Sequence, residues 1–325
     1  MFESMFWYLF ICLAFFAIGD FLGVATKAKL SAVFVSLMLF LIFFLFDWIP
    51  DDAINQAGLS QIGRWAAGFV VFGMGTTINV KELAAEWRTV VTACMSMAVL
   101  WVAIVILTPI IGYSEAIVVL PILNGGIIAT QVMTSAAMEQ GLTMAAALGT
   151  IVFAVQKFCG TPFASYFGLK EARIVLEEYR RTGINPNKPA PKAGEEPKLM
   201  FWEQNKKFYG QFVCLGLTSF FVWVASCIGS LTGLSYTIWC LILGAIMAST
   251  GYVPKNILVK ANAAGIFNIA VFASIIPALS KIKLEDLVTL GLNTAIIFVV
   301  TLVLLYIFFG ILPLWKVQGR KNVAL

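Results

Sequence analysis

The chain is predicted to be an all-α polytopic membrane protein, and three observations lead to this fold class. Of its 325 residues, 60% are hydrophobic and only 12% are charged, whereas soluble domains carry about 25% charged residues. Apolar runs of about 20 residues, which is the length that crosses a bilayer as a helix, recur along the chain. The second half of the chain also repeats the order of segments found in the first half.

The apolar runs predict a series of transmembrane helices whose bounds can be read from the sequence. By the 20-residue rule the spans are about 5–25, 30–49, 61–79, 88–112, 141–169, 208–231, 234–251, 257–280 and 286–315. The first 169 residues therefore contain five crossings, and residues 208–325 contain the rest.

One apolar segment, between the fourth and fifth spans, is broken and then becomes polar. It carries Asn124-Gly125-Gly126 after Pro121, and two adjacent glycines disfavour a continuous helix. Irregular backbone at membrane depth persists only where it is buried in protein or lines a wet cavity. We therefore expect a re-entrant hairpin over residues 113–140, with a functional tip.

A charged, proline-bearing segment divides the two halves. Residues 170–207 begin with a helical pattern and continue as NPNKPAPKAGEEPK, which is typical of a solvated linker. The lysines and arginines of the short loops place this linker in the cytoplasm and the N-terminus outside, with Lys281 and Lys283 as exceptions. The prediction is a multi-pass protein of the cell (inner) membrane, with no basic domain left over for nucleic acid.

The two halves match at a constant spacing. Pro50 and Pro254 lie 204 positions apart, and the same spacing pairs Leu30-Ser31 with Leu234-Ser235, Ala57 with Ala261, Ile78 with Ile282, Leu83 with Leu287 and Pro109 with Pro313. Because an odd number of crossings inverts the next copy, we expect inverted repeats of five helices plus a hairpin. The spacing also makes Leu325 equivalent to Pro121, so we expect the second repeat to be incomplete and to lack its hairpin.

The hairpin supplies the first candidate site residues. Amide groups at a broken helix suit a carboxylate, whereas hydroxyl and carbonyl oxygens suit a small cation such as Na⁺. The substrate candidates are Asn124, Gly125, Gly126, Thr130 and Gln131, and the ion candidates are Thr134 and Ser135. The alternative is glycine-mediated helix packing, with the hydroxyls bonded to the preceding turn.

The fifth span supplies a polar stripe that contains Lys157. Thr150, Lys157 and Thr161 recur at helical spacing, and Lys157 lies roughly 18 Å from the cytoplasmic end. That depth predicts that Lys157 faces the protein interior and pairs with an anion, either a substrate carboxylate or Asp20. Thr150 and Asp20 are further ion candidates, although Asp20 can equally form an interfacial hydrogen bond.

The residue types argue against an enzyme. The chain has no histidine, which excludes histidine acid–base chemistry and histidine-ligated metals. Of its aspartates only Asp20 is expected to be buried inside a span, so neither a catalytic pair nor a cofactor is expected beyond a coupling Na⁺ or H⁺.

Several segments together resemble the bacterial sodium/glutamate symporters. The resemblance rests on FGMGTTINVKEL, the Gly-Gly hairpin, ALGTIVFAVQKFCGTPFASYFG and AAGIFNIAVFASIIPALSKIKLEDL. It implies Na⁺-driven uptake of an acidic amino acid, inverted five-helix repeats with re-entrant hairpins, a homodimer and alternating access. The hairpin tip of that family has a Ser-Gly-Gly-His-Gly-Thr type motif. This chain keeps Gly125, Gly126 and Thr130, but it has Asn124 for the serine and Ile127-Ile128 for His-Gly.

The functional prediction is Na⁺-coupled symport of a small carboxylate, such as glutamate or a related acidic solute. The alternatives are a proton-coupled carboxylate exchanger or exporter that uses Asp20 and Lys157, and a passive channel. Dependence on pH would distinguish the first alternative, and flux without coupling would distinguish the second.

Overall fold

The computed structural model describes residues 4–27, 30–183, 200–312 and 314–319. Within these ranges the chain forms helices and no strand. The α-helices are α1 Met5–Ala25, α2 Ala32–Leu45, α3 Ala53–Gln56, α4 Leu59–Gly75, α5 Val80–Ala85, α6 Trp87–Ile111, α7 Tyr113–Glu139, α8 Thr143–Thr182, α9 Phe201–Gln204, α10 Gln211–Thr232, α11 Tyr236–Ser249, α12 Ile257–Lys260, α13 Ala264–Ile275, α14 Asp286–Leu305 and α15 Trp315–Gln318. Two 3₁₀ segments, η1 Lys206–Phe208 and η2 Ile276–Lys281, and a π-helical turn, Tyr306–Ile311, complete the described elements.

Length and composition confirm a multi-pass, all-α membrane protein. In the part of the chain that the structure describes, seven helical stretches are long and apolar enough to cross a membrane: α1, α6, α7, α8, α10, α13 with η2, and α14 with its π-turn. Two shorter apolar helices, α2 and α11, have 14 residues each. Large apolar side chains on the outer surface, such as Phe212 at 86% exposure and Val105 at 74%, suit contact with lipid.

The predicted bounds differ from the structure most in the second half. The predicted span 257–280 is divided into α12, a left-handed Asn262 with φ of 52°, α13 and η2. Pro277 lies in η2, where its missing N–H suits a tighter 3₁₀ turn better than a helix interior. The helical start predicted for residues 170–207 is confirmed, because α8 continues from the fifth span to Thr182, and the middle of that linker, residues 184–199, lies outside the described residues.

Two buried apolar clusters hold the fold together. The first is built from α1, α2, α6, α7, α8, η2 and α14 around Phe40 and Phe153. The second is built from α4, α10, α11, α12 and α13 around Phe72. Ile127 packs against both clusters, so the chain just after the glycine pair lies where they meet.

The spacing found in the sequence recurs in the bounds of the helices. Helix α11 starts and ends 204 positions after α2 (236 − 32), and α12 does so after α3. Left-handed backbone recurs at the same spacing, at Asp47 and Gly251 and again at Gly58 and Asn262. Two pairs of helices and two pairs of unusual turns therefore keep the spacing found in the sequence.

Helix α4 and its counterpart α13 run antiparallel. Near the start of α4, a β carbon on Gly63 would lie 2.6 Å from Ser274 Cβ. Farther along, the rings of Phe69 and Phe267 have centroids 4.9 Å apart, and a β carbon on Gly73 would lie 2.9 Å from Leu258. Residue numbers rise along one helix while they fall along the other, which defines the antiparallel orientation.

Close helix packing explains the glycines of the third predicted span. A β carbon on Gly75 would lie 3.0 Å from Gly244 Cα, and Gly244 in turn faces the backbone of α4. The Thr76 hydroxyl donates to Gly73 O at 2.7 Å and accepts from the Ile257 N–H at 3.4 Å. These contacts assign the glycines of α4 to packing between the two halves.

Candidate binding site

The predicted break in the chain is present, and it is located at Gly126. Within α7 this residue has φ of 60° and ψ of −140°, a combination that is essentially restricted to glycine. Asn124 and Gly125 keep helical geometry, so the interruption is one residue wide. The break divides α7 into a first arm that ends at Gly125 and a second arm that begins at Ile127.

The two arms fold back on each other against α8. A β carbon on Gly149 of α8 would lie 3.2 Å from Val118 Cγ1, 2.7 Å from Ile122 Cδ1 and 3.6 Å from Thr134 Cγ2. In a straight helix Val118 and Thr134 would be separated by roughly 24 Å. Their shared contact with one glycine therefore requires a hairpin, which places Asn124 and Gly125 beside its tip.

The hydroxyls proposed as ion ligands donate to their own helices. Thr130 donates to Gly126 O at 2.8 Å, Thr134 to Thr130 O at 2.7 Å, and Thr150 to Ala146 O at 3.0 Å. All three threonines are buried, and Ser135 is half-buried. This is the back-bonded arrangement that the sequence left open as an alternative to ion binding.

Gln131 joins the hairpin to α4. Its Nε2 donates to Gly63 O at 2.8 Å, which fixes the orientation of the amide. Its Oε1 is buried and has no hydrogen-bond partner in the described part of the chain. A buried acceptor without a partner is unfavourable by about 1–3 kcal/mol, and this oxygen is therefore available to a cation or to an N–H donor.

A cavity of about 440 Å³ brings together three of the predicted site residues. Asn124 comes from the first arm of the hairpin, and Lys157 and Thr161 come from α8. The cavity lies between α6, α7, α8 and α14, and its other lining residues are Leu100, Leu123, Gln156, Cys159, Gly160, Ala164, Phe298, Thr301, Leu302 and Leu305. The hairpin tip and the fifth span thus contribute to one cavity, as the sequence predicted.

Among the described residues that line this cavity, Lys157 is the only basic one, and none is a carboxylate. The prediction that it faces the closed interior is wrong, because its side chain is exposed and lines an open cavity instead. The burial of α8 ends at Ala154, one turn before the lysine. Lys157 forms no ion pair with another described residue.

Asp20 is not brought to this site. It lies one residue after Gly19 on α1, it is exposed, and it lines none of the cavities described here. Its proposed pairing with Lys157 is therefore wrong in this structure.

A second, apolar cavity of about 300 Å³ adjoins the first. Leu100 and Asn124 line both cavities. The remaining walls of the second come from α6 and the first arm of α7, namely Met97, Trp101, Ile104, Ile117, Leu120, Pro121 and Gly125. Gly125 is thus a wall of this apolar space, whereas Gly126, Thr130 and Gln131 line neither cavity.

The first cavity also contains polar residues that the sequence prediction missed. The Oε1 atom of Gln156 is buried without a hydrogen-bond partner among the described residues, and Thr301 comes from α14, where its hydroxyl donates to Ile297 O at 2.7 Å. A signal existed for Gln156, because it is a polar residue next to Lys157 within an apolar span. No pattern in the sequence singled out Thr301.

Comparison with models of protein families, with curated proteins and with solved structures finds no match to this chain.

Proposed function

We propose that the chain is a secondary active transporter that couples uptake of a small carboxylate to Na⁺. The observation that carries this proposal is the shared cavity, in which the tip of a broken hairpin and a single lysine face the same space. Broken helices at such depth are where secondary transporters bind their substrates. The substrate carboxylate would bind between Lys157 and Asn124.

Electrostatics favours an anionic ligand in this cavity. Among the described residues, Lys157 has no carboxylate beside it in the lining, and its exposed side chain is accessible to an anion from solution. Opposite charges attract each other across such a cavity, and more strongly where apolar walls exclude part of the water. A carboxylate is the simplest ligand that supplies this charge and can also accept a hydrogen bond from Asn124 or Thr161.

Gln131 is the better candidate for the coupling cation than the threonines. Its Oε1 is an oxygen ligand without a competing donor in the described chain, and oxygen is the ligand type that hard cations prefer. It lies on the second arm of the hairpin and is bonded to α4. A cation bound there would link the hairpin to the second apolar cluster through α4.

The transport cycle would use two inverted repeats that alternate access to the cavity. The proposal is supported by the constant spacing of α2 and α11 and of α3 and α12, together with the antiparallel packing of α4 against α13. Equivalent helices that run in opposite directions are what an inverted repeat requires. Thr301 and Phe298 of α14 would then let the second half move one wall of the site.

A screen of ligand binding tests this proposal on the purified full chain. Thermal unfolding is recorded with acetate, succinate or glutamate, in NaCl or in choline chloride. Saturating ligand at about 100 times its dissociation constant stabilises the folded state by roughly 2.7 kcal/mol. We expect a carboxylate to raise the unfolding temperature only with Na⁺, and Gln131→Leu to weaken that Na⁺ dependence.

The matched pair of variants is Lys157→Met and Lys170→Met, which remove the same charge from one helix. Lys157→Met should abolish the stabilisation, whereas Lys170→Met should keep it because Lys170 lies outside the cavity. Equal stabilisation in Lys157→Met would contradict the proposed site. Dependence on pH without dependence on Na⁺ would favour the proton-coupled alternative.

A further inference from the structure

We infer that the transported carboxylate has one charged end and one bulky apolar end. This inference rests on the proposed function, and it narrows the substrate from small carboxylates in general to amphipathic monocarboxylates. The charge of the first cavity and the position of the second support it.

The charges allow one carboxylate in the site. Among the described residues, Lys157 is the only cationic side chain that lines the first cavity, and none with a charge lines the second. A second carboxylate on the same ligand would lose water without gaining a partner, which is strongly unfavourable. A dicarboxylate therefore gains nothing from its second acidic group here.

The second cavity offers an apolar space directly beside the charged one. The two share Leu100 and Asn124 as lining residues, so the apolar tail of a ligand whose carboxylate contacts Lys157 would enter the second cavity past these two side chains. Its walls include Met97, Trp101 and Ile104. Aromatic and aliphatic side chains of this kind recognise the apolar part of a ligand, while a few polar groups fix its orientation.

The other possible occupant of the second cavity is a lipid acyl chain. Trp101 is 66% exposed and Met97 is 49% exposed, so this cavity opens on the outer surface of α6. The position of the second cavity beside the lysine-bearing one, with Leu100 and Asn124 common to both, favours the ligand tail, because a tail anchored at Lys157 would gain contacts there without a separate binding step. If the ligand tail occupies this cavity, the gain in affinity from a longer apolar tail should require Lys157. If a lipid acyl chain occupies it, that gain should not require Lys157.

Isothermal titration of the full chain with a set of carboxylates separates these cases. The ligands are acetate, 4-methylpentanoate, 4-phenylbutanoate and the dicarboxylate glutarate, in the presence of NaCl. Each methylene that becomes buried should tighten binding about fourfold. We expect 4-methylpentanoate and 4-phenylbutanoate to bind at least about tenfold tighter than acetate, and glutarate to bind no tighter than acetate.

A second pair of variants tests the position of the tail. Met97→Trp fills the second cavity and should reduce the ratio of the 4-phenylbutanoate and acetate affinities about tenfold. Val105→Trp is its control, since Val105 lies on the same helix, is 74% exposed and lines neither cavity. Val105→Trp should leave the ratio unchanged, and thermal unfolding of both variants verifies that they are folded.

The outcomes distinguish this inference from the function on which it rests. Tightest binding of glutarate, or equal ratios in Met97→Trp and Val105→Trp, would overturn the amphipathic substrate while leaving a Lys157-dependent carboxylate site. A tail preference that persists in Lys157→Met would assign the second cavity to lipid-like ligands. Binding of no carboxylate in any Lys157-dependent way would overturn the proposed function itself.

Discussion

Replacement of Gly126 by alanine tests the hairpin directly. The backbone at Gly126 has φ of 60° and ψ of −140°, and holding a residue with a β carbon in such a region is unfavourable by about 1–3 kcal/mol. A β carbon there would meet no atom within 4 Å, so the whole penalty comes from the backbone. Alanine also restricts the unfolded chain, which returns about 0.4–1 kcal/mol. We expect a net destabilisation of about 1–2 kcal/mol.

Two control variants separate backbone strain from other effects. Gly168 lies in α8, where an added β carbon would also meet no atom within 4 Å, and Gly168→Ala should stabilise by roughly 0.5–1 kcal/mol because its backbone is helical. Gly58 has φ of 74° and ψ of 1°, a left-handed conformation that asparagine tolerates. Gly58→Asn should therefore be nearly neutral, whereas Gly126→Asn should destabilise as much as Gly126→Ala.

The assay is unfolding in mixed micelles of detergent and increasing SDS, followed by tryptophan fluorescence. The free energy of unfolding of each variant is compared with that of the unaltered chain. If Gly126→Ala stabilises the protein as Gly168→Ala does, the helix is continuous through residue 126. The hairpin, and with it the position of Asn124 beside a tip, would then be refuted.

Three further predictions concern the rest of the fold. Gly75→Val should destabilise by about 1–3 kcal/mol in the same SDS assay, because its side chain would press on Gly244 and the helices cannot close. Asp51→Asn should change the free energy of unfolding by less than about 1 kcal/mol. Its ion pair with Lys281, at 3.3 Å, joins two solvent-exposed side chains, and such pairs contribute little. Trp202→Leu should speed tryptic cleavage of residues 200–209, because the ring lies 4.6 Å from the Lys260 ammonium and helps hold that segment.

The position of the hairpin could be predicted, but its detailed geometry could not. Two adjacent glycines beside Asn124 show that the helix is interrupted, since glycine tolerates torsions that other residues avoid. They do not show which glycine breaks it, because both have the same intrinsic freedom. The packing of Val118, Ile122 and Thr134 around Gly149 is a tertiary feature that local sequence does not encode.

The features of the site that depend on residue type could be predicted from the sequence, whereas those that depend on packing could not. Lys157 was recognisable as an isolated charge in an apolar span, whereas its exposure depends on where α8 leaves the first apolar cluster after Ala154. From the sequence, the hydroxyls of the hairpin threonines could either bind a cation or donate to the preceding turn. In the structure they donate to carbonyls of the preceding turn. Thr301 reaches the cavity because α14 packs against α6 and α8, and no local pattern predicts that contact.

Uptake by proteoliposomes tests the central claim most directly. The full chain is reconstituted, an inward Na⁺ gradient is applied, and accumulation of a labelled monocarboxylate is compared for the unaltered chain, Lys157→Met and Lys170→Met. We expect Na⁺-driven accumulation that Lys157→Met abolishes and Lys170→Met retains. Accumulation that is equal in both variants, or that proceeds without any ion gradient, would contradict it.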